Sequence, residues 1–307
     1  MNCKKNLKTI LKEKFAEQNI TIDENLIPRA YELFGSVAII DMSNFEHQNL
    51  LNQKKDSDNK KELVAIKKTI ADALTKVNKN IKTILIKKDK LEGEFRTGEY
   101  EIIFGKNTDC VYKENNCAFE FDITKTYFST KLGNERRILA ESICDNEEIF
   151  CPFAGVCPFP IIIAKNKNVK ITAVEKNPHC EKYAIRNILK NKTKDKIKFY
   201  CADILDFLKT SKKKYNRIAM LAPKINYKFV DLMFDFLDLE DGKTGIVDYY
   251  CFCKIDKNTD EVQLVKEEIK KKVKEKNLDC SFGNIRKCGN HAPYQFRIHI
   301  EINVWRK

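Results

Sequence analysis

Two acidic residues and one turn of small residues fall at spacings that fit a nucleotide-type cofactor. Phe153-Ala154-Gly155-Val156-Cys157-Pro158 follows an apolar run and precedes a helical pattern. A turn of this kind lets backbone approach a ligand closely, with the N–H groups of the next helix facing it. Glu175 lies twenty residues after Gly155, at the end of a second apolar run. A carboxylate there can accept both hydroxyls of a ribose. Asp203 ends a third run, where it can meet an adenine edge, and Ala222-Pro223-Lys224 ends a fourth. Four such segments at successive strand ends converge on one crevice under the switch-point rule. No three-glycine fingerprint is present, so S-adenosylmethionine fits better than a dinucleotide. Each residue alone also has a structural reading: Glu175 as a charge at a helix start, Asp203 as a helix cap, Pro223 as a strand stop.

These segments need a scaffold, and the pattern from Glu147 onward supplies one. Strands are expected near 148–153, 169–175, 196–201, 216–221 and 244–252. Helices are expected near 158–166, 179–190, 203–209, 226–238 and 259–276. Such alternation predicts a parallel α/β sheet covered on both faces. Two further strands near 279–285 and 294–304, joined by a Gly289–Pro293 loop, predict a terminal antiparallel hairpin. The first part lacks this rhythm: helices near 5–18, 62–77 and 132–143 mix with strands near 36–42, 82–87, 99–104 and 117–122, and residues 49–61 read as a loop or frayed helix start. Two domains are expected, 1–145 and 146–307.

Composition narrows the class. Apolar residues form 43% of the 307, enough for a core. No run reaches the roughly 18–20 apolar residues that span a bilayer, so no membrane partner is expected. The formal charge of +13 favours polyanions, although nearly all the cations are Lys, as a biased genome would also give. The twelve Cys include no Cys-x-x-Cys pair, and the four His are scattered. Reduced thiols in a cytoplasmic or nuclear compartment are expected, with no metal site.

The stretch FAGVCPFPIIIAK…ITAVEKNPHCEKYAIRNILKN…FYCADILDF…RIAMLAPK…GIVDYY resembles the tRNA (guanine37-N1)-methyltransferases of archaea and eukaryotes. YELFGSVAIIDM, LEGEFRTGEYEIIFG, FEFDITKTYFSTKLGNERRI and Arg286…His291-Ala292-Pro293 extend the resemblance over roughly residues 28–304. A wybutosine-pathway aminocarboxypropyl transferase shares much of it, including the acidic-Lys-Asn-Pro of Glu175–Pro178. The resemblance implies an α/β class I S-adenosylmethionine-dependent methyltransferase (Rossmann-like) domain preceded by an α+β RNA-contacting domain. It implies S-adenosylmethionine as cofactor and tRNA as partner, and a monomer is expected.

It also implies roles for individual residues. Glu135 matches the family's base, and Arg96 matches the Arg that contacts the guanine O6. Phe153 to Pro158, with Ala154, Gly155, Val156 and Cys157 between them, would hold the cofactor, as would Glu175, Lys176, Asn177, Asp203, Ile204, Ala222 and Pro223. Tyr127, Lys131, Arg136, Lys224 and Pro293 would meet the substrate, Lys131 and Arg136 through phosphates. Three positions depart from the pattern: Cys157 replaces a Gly, Cys151 an Asp, and Leu221 the Asn of Asn-Leu-Pro-Lys. An aminocarboxypropyl transferase and a non-catalytic tRNA-binding relative are the alternative functions.

Overall fold

The computed structural model describes residues 7–42, 57–88, 98–256 and 259–307. Elements are numbered among these residues. The chain divides into two compact units, Met1–Tyr112 with Glu120–Tyr127, and Lys113–Phe119 with Phe128–Lys307. The division falls ahead of residue 145, so Glu135 is carried by the second unit.

In the first unit, α1 (Leu7–Glu17) and α2 (Ser57–Val77) pack on a sheet of order β1-β2-β3-β4, formed by Glu32–Phe34, Val37–Asp41, Thr83–Lys87 and Tyr100–Phe104. Ile66, Ile70 and Leu74 recur at intervals of four and form one apolar stripe. They meet Leu11, Phe15, Ile40, Ile84 and Ile86 in a dry core. β5 (Asp109–Glu114) and β6 (Cys117–Asp122) follow as a hairpin whose tip, Lys113–Phe119, is assigned to the second unit. Its two-residue turn holds Asn115 and Asn116 at φ 46° and 58°. Asn tolerates this left-handed region because its side chain bonds locally. The sequence pattern left β1 and β5 unmarked, since β1 is only three residues long and β5 carries charged residues at both ends.

The second unit opens with α3 (Gly133–Ser142) and then alternates: β7 (Glu148–Pro152), α4 (Pro158–Asn166), β8 (Lys170–Glu175), α5 (Pro178–Lys190), β9 (Ile197–Cys201), α6 (Ile204–Thr210) and β10 (Arg217–Met220). After α7 (Val230–Phe234) come β11 (Gly245–Lys254), α8 (Glu261–Glu275), β12 (Leu278–Ala292) and β13 (Gln295–Arg306). The sheet order is β12-β13-β11-β10-β7-β8-β9. Strands β7 to β11 pair in parallel. β13 runs antiparallel to β11 and β12. Chain order reverses between β7 and β10, which places a crevice at their carboxyl ends. This is the Rossmann-like order of class I methyltransferases.

Two expected elements differ. The helix near 226–238 is a 3-10 turn at Asn226–Lys228 followed by the five residues of α7. The Asn226 side chain is pulled inward, donating to the Met220 and Tyr250 carbonyls at 2.5 and 2.8 Å. Leu237 then leaves the helix to bridge Tyr215 in a strand-like contact. The loop expected at 289–293 is mostly strand, because β12 runs to Ala292 and the chain turns over Pro293 and Tyr294, the latter at φ 59°.

Candidate active site

The crevice is lined first by the β7–α4 turn. Phe153, Gly155 and Cys157 have positive φ of 60°, 57° and 66°. Ala154 N–H donates to the Val174 carbonyl and Cys157 N–H to the Ala154 carbonyl, both at 3.0 Å, so the turn is held in place and its backbone forms one wall of the crevice. Glu175, at the end of β8, ties the turn down: its Oε2 accepts from the Gly155 N–H at 2.8 Å and its Oε1 from the Asn177 N–H at 2.9 Å. Burial pushes the Glu175 carboxyl up, against the pull of these N–H groups. The Lys176 N–H adds a third bond, and a carboxylate offers about four lone-pair sites, so acceptor capacity remains for a ribose hydroxyl. Asn177 caps α5, accepting from His179 N–H, and Pro178 opens the helix with its fixed φ. Asn187, fully buried on α5, donates to the Val156 carbonyl at 3.1 Å and pins the turn from behind.

Asp203 is both cap and partner. Its side chain accepts from Leu205 N–H at the start of α6 and pairs with Lys176 at 2.9 Å. The Lys176 ammonium holds the Asp203 carboxyl below its ordinary range. Ile204 is buried and Ala222 half-buried, and Pro223 closes β10 as a buried stop.

Glu135 lies on the first turn of α3, only 4% exposed. Tyr250, on β11, donates its hydroxyl to Glu135 Oε1 at 2.5 Å. Arg286, on β12, donates from Nη2 to Oε1 at 2.7 Å and from Nε to Oε2 at 3.2 Å. This two-pronged pairing fits the planar guanidinium fork. Burial raises the Tyr250 hydroxyl far above the ordinary tyrosine range, and the neighbouring Glu135 charge adds to it. Tyr250 is therefore a proton donor to the carboxylate across the physiological range. Burial likewise pushes the Cys288 thiol, beside Glu135, up to about 12. Sequence reasoning assigned no role to Tyr250 or Arg286, although both stood in the quoted motifs.

Behind this carboxylate runs a second charged array. Tyr250 faces His299 across the β11–β13 pairing, with ring centroids 5.0 Å apart. His299 Nε2 meets Asp248 at 2.8 Å, Arg217 meets Asp248 at 3.1 Å, and Arg217 Nε reaches Glu147 at 2.7 Å. Burial alone would raise the Asp248 carboxyl, but Arg217 and His299 outweigh it and hold it at about 2.

The expected substrate residues separate. Lys131, Lys224 and Pro293 are exposed. Tyr127 belongs to the first unit and is half-buried. Arg136 does not fit a phosphate contact. It is 2% exposed, pairs with Glu114, donates to the Ser129 carbonyl at 2.8 Å, and packs on the Phe128 and Phe159 rings. An arginine beside an acidic residue gave no sign in sequence of which face of α3 it would take. Arg96 lies outside the described residues. Among the described residues, no three His, Cys, Asp or Glu side chains group as metal ligands, and no helix is long and apolar enough to cross a membrane.

The profile of the TRM5/TYW2 methyltransferase domain matches residues 110–281, and that of the TYW2 N-terminal domain matches residues 7–108. The chain belongs to the TRM5/TYW2 methyltransferase family. It is 30% identical to the tRNA (guanine(37)-N(1))-methyltransferase Trm5b of Methanocaldococcus jannaschii, over 99% of this chain and 79% of that protein. It is 42% identical to the tRNA (guanine(37)-N(1))/4-demethylwyosine(37)-methyltransferase Taw22 of Nanoarchaeum equitans over 124 residues. That alignment covers 40% of this chain and 42% of the relative, less than half its length. The crystal structure of Trm5b from Pyrococcus abyssi superposes with a TM-score of 0.73 at 28% identity, covering 94% of this chain and 80% of that one. Against the family pattern, Cys157 occupies a left-handed position that glycine adopts without strain, and Leu221 is half-buried directly after β10.

Proposed function

We propose that this chain transfers the methyl group of S-adenosylmethionine to N1 of guanosine 37 in tRNA. The observation that carries this reading is the buried Glu135 carboxylate, held on two sides by Tyr250 and Arg286. The crevice residues fit the cofactor's adenosine: Glu175 keeps acceptor capacity for the ribose, and the Phe153–Cys157 turn, held by its own hydrogen bonds, lets backbone approach the ligand closely. S-adenosylmethionine, when held there, supplies an electrophilic methyl group that needs little further activation.

The guanine needs more help. N1 carries a proton and is a poor nucleophile until that proton leaves. Glu135 takes it. Tyr250 and Arg286 fix the direction of the carboxylate lone pairs, so little reorganisation is needed at the moment of transfer. As the proton reaches Glu135, the carboxyl becomes neutral and Arg286 keeps its charge. That charge then faces the negative charge growing on the base, a task for which the resemblance also puts forward Arg96. To reach Glu135 the guanosine must leave its stack in the loop.

The match of residues 7–108 to the TYW2 N-terminal domain favours a second reading, aminocarboxypropyl transfer from the same cofactor. One experiment separates the two. The chain is incubated with unmodified tRNA transcripts and S-adenosylmethionine, and the nucleosides are resolved by mass spectrometry. The expected product is 1-methylguanosine, lost when guanosine 37 is replaced. An aminocarboxypropyl product would establish the second reading. tRNA binding with no modified nucleoside would establish a non-catalytic relative.

A further inference from the structure

The face of the sheet that carries Tyr250 and Arg286 continues outward as a stack of aromatic and cationic side chains. Side chains two apart on a strand share a face, so Phe252 stands on the same side as Tyr250, about 7 Å further along. Phe252 lies opposite Arg297, as Tyr250 lies opposite His299, and Arg286 in turn lies opposite His299. The His291 ring stacks on Phe252 with centroids 4.0 Å apart and planes 22° apart. The Arg297 guanidinium lies 5.3 Å from the Phe252 centroid. His291 is exposed, whereas Phe252 and Arg297 are half-buried. Among the described residues Arg297 makes no ion pair, and its Nε is buried without a hydrogen-bond partner.

We propose that Phe252, His291 and Arg297 form a stacking platform for an unpaired RNA base, the nucleotide beside the one that reaches Glu135. This rests on the tRNA reading above. Three features select that occupant. A rigid aromatic face accepts any base by stacking, and every base offers a π-face. A cation on the stack attracts the phosphate strand. The distance from Tyr250 to Phe252, about 7 Å, exceeds one stacking step of about 3.4 Å, so a nucleotide that has left the stack can occupy the catalytic row while its neighbour rests on the platform.

The test uses full-length protein and tRNA transcripts carrying 2-aminopurine at position 36 or 38. Stacking quenches this fluorophore. The wild-type chain should quench one of the two positions on binding. His291→Ala should abolish that quenching and weaken tRNA binding between about 5- and 150-fold, the range for losing one base–aromatic stack. His291→Phe should restore both. Wild-type quenching and affinity in His291→Ala, or quenching at neither position by the wild-type chain, would overturn the platform. Methyl transfer to the same transcripts is followed in parallel. A failed enzymatic reading then appears as absent methylation with the His291-dependent quenching intact.

Discussion

Glu135→Gln removes one negative charge and leaves the side-chain volume unchanged. The amide oxygen can still accept from Tyr250, but Arg286 loses the countercharge to which it donates twice. A general base contributes about 10²- to 10⁴-fold, or roughly 2.7–5.4 kcal/mol of barrier. The single-turnover rate at saturating tRNA and cofactor should fall by at least about 100-fold. The residual rate should keep rising with pH, because hydroxide in the medium must then remove the N1 proton. Stability must be measured alongside. Removing one partner of a buried ion pair costs about 3–5 kcal/mol, and Arg286 is partly exposed, so the loss should be smaller. Equilibrium dialysis of the cofactor and a tRNA binding isotherm, both near wild type, would show that the site survives. A single-turnover rate within about threefold of wild type, in a folded variant that binds both ligands, would remove Glu135 from proton transfer.

Other expectations follow from the same geometry. Glu175→Ala should weaken S-adenosylmethionine by at least about tenfold in calorimetry, because charge-assisted bonds to ribose are worth roughly 1.5–3 kcal/mol each, while tRNA affinity stays near wild type; the reverse pattern would contradict its place in the crevice. Asp248 titrates from an ordinary 3.8 to about 2 on folding. Its contribution, roughly 2.5 kcal/mol, is present above pH 4 and lost as pH falls towards 2. Asp248→Asn should destabilise by about 3–5 kcal/mol in urea titrations and flatten that acid limb; an unchanged acid transition would count against the network. Arg136→Ala should lower the melting temperature and leave the salt dependence of tRNA binding unchanged, whereas a phosphate contact would lower the salt slope by about one. Arg96→Lys should slow single turnover at least about tenfold if a guanidinium meets O6, and a wild-type rate would place it elsewhere.

Local signals carried far in the second unit. β7 to β11 are apolar runs bounded by Gly, Pro, Asn or Asp. Asn177-Pro178 and Asp203 mark helix starts by capping chemistry that needs no tertiary partner. The order of four strand ends, and with it the cofactor crevice, was therefore legible as soon as the runs were read as alternating strands and helices. The family motifs also named Glu135, although nothing in Gly133-Asn134-Glu135-Arg136 shows by itself which acid is buried. Tertiary structure decided what the site is made of beyond that. Arg286 lies 151 residues from Glu135 and Tyr250 lies 115 residues away. The β12–β13 hairpin was legible from its loop, but the meeting of these three residues depends on β13 docking antiparallel against β11, which no local pattern encodes. The same docking sets His299 against Asp248 and Phe252 against Arg297. Arg136 shows the limit most directly: next to Glu135 in sequence, it becomes a buried partner of Glu114 and two aromatic rings. Periodicity fixes which residues share a face of an element, but the packing of other elements decides whether that face meets water, a core or a substrate.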